Sequence, residues 1–136
     1  MDDIRSVLSK FKPVTSKDSS PKGSERPTLS SIPDLFFDEI LVHFKLTKSE
    51  VMVLMYLYRQ IWSKPNLNAK YGIGPLQSLD KISKDLRLTH DELISILHHL
   101  EKLQLIQTVR SGQYFIRKFF TEEFDMKYGQ SYDEFF

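Results

Sequence analysis

Histidines are the residue type with the widest range of chemistry in this chain, and their spacing argues against a metal centre. His98 and His99 are adjacent, so on a helix they point about 100° apart and do not converge as an i, i+4 pair does. His90 lies eight residues before His98, about two turns along the axis. His43 falls at the end of a predicted helix, where a cation suits the macrodipole and a surface role suffices. The chain has no cysteine, which removes thiolate zinc sites, disulfides and cysteine nucleophiles. The run Y-G-I-G-P-L from Tyr71 has the wrong glycine spacing for a phosphate loop and a proline where backbone donors are needed. Carboxylate pairs Asp91 with Glu92 and Glu122 with Glu123 sit on polar segments, the ordinary setting of solvated charge. The expectation is a protein without metal, cofactor or catalytic constellation, and not an enzyme.

What remains is charge. Nineteen Lys and Arg against eighteen Asp and Glu give a formal net charge of +1, so no whole-molecule field draws the chain to a polyanion. Any such contact has to be local. From Ile32 to Phe120 there are twelve Lys and Arg against nine Asp and Glu, an excess of three positive charges. Lys81, Lys84 and Arg87 fall on one predicted helix, and Arg110, Arg117 and Lys118 on a predicted hairpin, placed to straddle phosphates. The equally ordinary alternative is a solvated charged face.

The elements that position these residues follow from periodicity and caps. Residues 1–12 carry Ile4, Val7, Leu8 and Phe11 on one helical face, a short amphipathic segment that reads as a docking peptide for a protein partner or as a frayed end. Residues 13–31, rich in Ser, Thr, Lys and Pro, read as a disordered linker. A domain over 32–120 then opens with Pro33 at a first helical position and Leu35, Phe36, Ile40, Leu41 and Phe44 at helical spacing. Thr47 and Glu50 form a capping box ahead of a second helix that is apolar on nearly every side, hence central.

Pro65, Gly72, Gly74 and Pro75 leave room for one small edge strand around Tyr71 and Ile73. Ser78 caps a third helix, and the box T-H-D-E at Thr89 opens a fourth. Gln107–Arg110 and Gln113–Phe119 flank Ser111-Gly112 and read as a β-hairpin. The predicted class is mainly α with a small β-hairpin, in the order of a winged helix-turn-helix with the hairpin as wing. Residues 121–136 form an acidic, aromatic tail.

The stretches I-P-D-L-F-F-D-E-I-L, L-T-K-S-E-V-M-V-L-M-Y-L-Y-R and S-L-D-K-I-S-K-D-L-R-L-T-H-D-E-L-I-S-I-L-H-H-L-E-K-L-Q-L-I resemble the winged-helix family. That family includes bacterial and phage replication initiators of the lambda O type and the MarR-type regulators. The resemblance runs from 33 to 120, roughly two thirds of the chain, and implies a DNA-binding domain in replication initiation or transcription regulation. It departs from the pattern in two places. Gln104 stands where such families commonly end the recognition helix with a left-handed glycine. The positions that would face the major groove, His90, Asp91, Ile94, Ser95, His98 and His99, include no Arg or Lys.

Two readings therefore stay open. In one, double-stranded DNA is held by Lys81, Lys84, Arg87, His90, Ser95, His98, His99, Arg110, Arg117 and Lys118, with a homodimer matching a two-fold site. In the other, a winged-helix scaffold without DNA readout serves as a protein-interaction adaptor through its N-terminal segment or its tail. No run is apolar enough to span a bilayer, so the expectation is a cytoplasmic protein with no membrane contact.

Overall fold

The organising element is a helix sealed at its start by its own sequence. In the computed structural model, which describes residues 26–134, Thr47 Oγ1 accepts the Glu50 N–H at 3.2 Å while the Glu50 carboxylate accepts the Thr47 N–H at 2.8 Å. This reciprocal box opens the helix Lys48–Trp62 and is worth about 1 kcal/mol. Val53, Leu54, Leu57 and Ile61 on this helix are buried, each contributing on the order of 2 kcal/mol by leaving water. Ahead of it lies a helix that starts π-wound over Phe36–Ile40 and continues as α over Leu41–Phe44. These are α1 (Phe36–Phe44) and α2 (Lys48–Trp62). Pro33 precedes α1 and is not its first helical residue: its carbonyl accepts the Phe36 N–H at 3.0 Å in the turn leading in.

Between α2 and the next helix, Ala69–Tyr71 forms a single 3-10 turn and Ile73 makes an isolated bridge to Phe115. The expected edge strand is thus reduced to Ile73, with Tyr71 in the turn. Ser78 then caps α3 (Leu79–Leu86) by accepting the Lys81 N–H at 3.1 Å. Arg87 ends it in the left-handed region, φ 57°, and Thr89 opens α4 (His90–Lys102) with a second complete capping box. α3 packs on α4, and α4 on α2.

α4 ends in a Schellman turn. Gln104 is left-handed (φ 64°), its N–H reaches the Glu101 carbonyl at 2.9 Å, and the Leu105 N–H reaches the Leu100 carbonyl at 3.1 Å. The cap that other sequences build with glycine is built here with glutamine, at a steric cost of about 1 kcal/mol. Gln104→Gly is accordingly expected to raise stability by about 0.5 kcal/mol after the entropy glycine adds to the unfolded chain. Urea unfolding checks this, and a loss of stability would contradict the cap assignment.

The chain then forms β1 (Gln107–Arg110) and β2 (Gln113–Phe115), antiparallel, with an irregular register between Thr108 and Arg110. Gly112 at the turn has φ +88°, and a Cβ there would lie 2.0 Å from the Gln77 carbonyl oxygen, so only glycine fits. The Gln77 N–H in turn reaches the Gly112 carbonyl at 2.9 Å, tying the hairpin tip to the residue preceding the α3 cap. β2 stops at Phe115, short of the predicted Phe119. Phe120 turns left-handed (φ 73°) to place its buried ring 4.7 Å from Tyr58 and 5.1 Å from Phe36.

The stretch from Thr121 differs from the tail anticipated in the sequence. Thr121 caps α5 (Glu122–Lys127), and Tyr132 lies against Phe115 and Trp62, with ring centroids 5.2 and 6.2 Å away. Asp125 is buried and Tyr132 half-buried here, both packed at the base of the hairpin. The described chain is mainly helical with a two-stranded antiparallel sheet. None of its helices is long and apolar enough to cross a membrane. The segment 1–12 with Ile4, Val7, Leu8 and Phe11 lies outside the described residues.

Candidate nucleic-acid interface

The tie between Gln77 and Gly112 places the hairpin tip beside the start of α3, so the cations of α3, the α3–α4 turn and the hairpin are carried by linked elements. Their charges are not equally available. Lys81 Nζ lies 2.9 Å from Asp85 Oδ2, and Asp85 also accepts the Tyr56 hydroxyl at 2.8 Å. Hydrogen bonds from Lys81 and Tyr56 hold the Asp85 carboxyl below the ordinary range, and the bond to Asp85 pushes Lys81 up. Lys81 is thus paired within α3 to the carboxylate that joins α3 to α2 through Tyr56.

Lys84 and Arg87 are exposed, and among the described residues neither has an ion-pair partner. Arg110 is also exposed, its Nε donating to the neutral Gln113 Oε1 at 2.9 Å, which orients the guanidinium without spending its charge. These three cations are free for a phosphate.

Arg117 is not. Its guanidinium lies 3.2 Å from Asp125 Oδ2 and 3.6 Å from Glu122, over the Phe115 and Tyr132 rings at 5.4 and 5.9 Å. Asp125, 1% exposed, also accepts the Phe119 N–H at 3.1 Å and the Tyr132 hydroxyl at 2.6 Å. Burial and the Asp125 bond raise the Tyr132 pKa. This clasp holds the chain after β2 and leaves Arg117 without charge to offer. Lys118 is exposed, with its ammonium over Trp62 and Phe119 at 5.9 and 6.0 Å.

On α4, Ser95, His98 and His99 line one wide, shallow depression of about 630 Å³ with Glu101 and Lys102. His90 is exposed at the start of the helix. His99 is drawn away from a ligand role, since its Nδ1 pairs with Glu50 of the α2 capping box. Burial works to raise the Glu50 pKa, but the hydrogen bonds from Thr47 and His99 outweigh it and leave the carboxyl below its ordinary value. The acids of α4 have structural work of their own. Glu92 completes the cap on Thr89, and Glu101 accepts the Thr108 N–H at 3.0 Å, fixing β1 to the helix. Among the described residues no three His, Asp or Glu side chains gather as a metal site.

The clasp around Asp125 and the Glu50–His99 pair have no signature in local sequence. The capping pattern at Thr47 marks Glu50, and nothing nearby marks its second partner 49 residues on. Comparison with protein-family models, curated proteins and solved structures gives no match to the chain.

Proposed function

We propose that the chain is a winged-helix DNA-binding module that holds duplex DNA mainly through its phosphates. Lys84, Arg87 and Arg110 make the principal contacts. The observation that supports this reading is the assembly of α3, a short turn, α4 and the hairpin as linked units, with those three exposed cations uncompensated by neighbouring carboxylates. α4 lies in the recognition position, with His90, Ser95 and His98 as its polar contacts and Lys118 at the margin. A cytoplasmic role in replication initiation or transcription regulation fits the resemblance of residues 33–120.

An interface of this kind positions more than it reads. The exposed part of α4 offers His and Ser but none of the Arg, Asn or Gln pairs that discriminate bases bidentately. The expected outcome of an anisotropy titration is saturable binding at about 50 mM salt, with affinities for unrelated duplexes within about tenfold of one another. Absence of binding contradicts the proposal.

One observation favours a second reading, a protein-interaction adaptor on the same scaffold. From Leu79 to Lys102 there are five carboxylates against four Lys and Arg, so α3 and α4 taken together do not attract a polyanion. An adaptor would leave the duplex titration flat at every salt concentration.

A further inference from the structure

Seven large apolar side chains of the described residues are conspicuously exposed, and four of them, Phe37 (52%), Val42 (57%), Met126 (75%) and Tyr128 (51%), belong to α1 and the α5 region. The others lie singly in connecting segments. The two elements are neighbours: Phe44 of α1 and Thr121 and Glu122 at the start of α5 wall one cleft of about 400 Å³. Phe36 also meets Phe120, one residue from the Phe119 that contacts Tyr128 at 5.0 Å. Isolated exposed apolar residues are normal on a surface, whereas Phe37 and Val42 fall together on the single short helix α1, and such a grouping marks an interaction face.

The charges on α1 say what covers it. In chain order the outer stripe reads Asp34, Phe37, Asp38, Leu41, Val42 and Lys45, with both carboxylates in its N-terminal half, Leu41 and Val42 after them, and the ammonium just past the end of α1. Asp38 and Lys45 are exposed, and neither has an ion-pair partner among the described residues. A stripe ordered in this way complements itself when reversed. We propose that α1 pairs antiparallel with α1 of a second copy about a two-fold axis near Leu41 and Val42. Asp38 then faces Lys45 of the partner subunit at both ends, with Leu41 and Val42 between them. A two-fold interface uses the same patch on both copies, so every favourable pair occurs twice. The proposal does not depend on DNA binding.

The test is sedimentation equilibrium of the full chain from about 1 to 300 μM, with circular dichroism confirming that each variant folds. The wild type is expected to dimerise in that range. Val42→Glu, at a solvent-exposed position of the monomer, is expected to raise the dimer Kd by about 30-fold or more. Asp38→Lys alone, or Lys45→Asp alone, opposes like charges at both ends and raises Kd roughly tenfold. The double variant Asp38→Lys with Lys45→Asp exchanges the ends and returns Kd to within about threefold of the wild type. A monomer independent of concentration overturns the proposal and assigns the face to residues of the same chain or to a different protein. A dimer indifferent to Val42→Glu, or a double variant as weak as the singles, overturns the antiparallel α1 pairing.

Discussion

Joint replacement of Lys84 and Arg87 by Glu is expected to weaken duplex binding by about 100-fold or more at about 50 mM salt. On the proposed docking each change removes one phosphate contact and adds one repulsion, and the two positions supply two of the three uncompensated cations around α3 and the hairpin. The fold should tolerate the double variant, because both side chains are exposed. Arg87 is left-handed, a conformation that Glu adopts at similar cost. Lys48→Glu with Lys127→Glu changes net charge equally at exposed positions on α2 and α5. This control is expected to cost less than about tenfold. Equal losses from the two double variants, measured by anisotropy, would show that overall charge governs binding and that the α3 site does not.

The largest expected effect on stability comes from Asp125→Ala. Its carboxylate, 1% exposed, satisfies the Arg117 guanidinium, the Phe119 N–H and the Tyr132 hydroxyl at 3.2, 3.1 and 2.6 Å. Removing it leaves three donors short of an acceptor and leaves the guanidinium with only the exposed Glu122, 3.6 Å away, as counter-charge. Breaking a buried pair from one side costs about 3 kcal/mol, which lowers Tm on the order of 10 °C for a domain of this size. Trp62, the single tryptophan, donates to the Ile116 carbonyl at 3.1 Å and lies near Tyr132, so its fluorescence reports directly on the region. A loss below about 1 kcal/mol would contradict the clasp as the device that holds α5 and Tyr132 in place.

These two predictions concern features with unequal visibility in the sequence. The capping boxes at Thr47 and Thr89 are legible because donor and acceptor lie three residues apart, and the hairpin because a glycine sits where the chain must reverse. Such signals are local. The clasp joins Arg117 to Asp125 and Tyr132 through a turn that exists only once Phe120 is buried against Phe36 and Tyr58. Its carboxylate therefore looks like any other in an acidic stretch. For the same reason Arg117 reads as a wing cation in the sequence, though in the fold its charge is already matched. His99 presents the parallel case, since a residue 49 positions earlier holds it. Lys84, Arg87 and Arg110 remain candidates because, among the described residues, no ion pair competes for their charge.

The central claim, that three exposed cations of α3, the turn and the hairpin neutralise phosphates, is tested most directly by the salt dependence of duplex affinity. Each neutralised phosphate contributes about −0.9 to the slope of log K against log salt. Between about 50 and 200 mM salt, the expected slope is close to −3 per bound chain, a fall in affinity of about 40-fold. A slope shallower than about −1, or no saturable binding at the lower concentration, would contradict it.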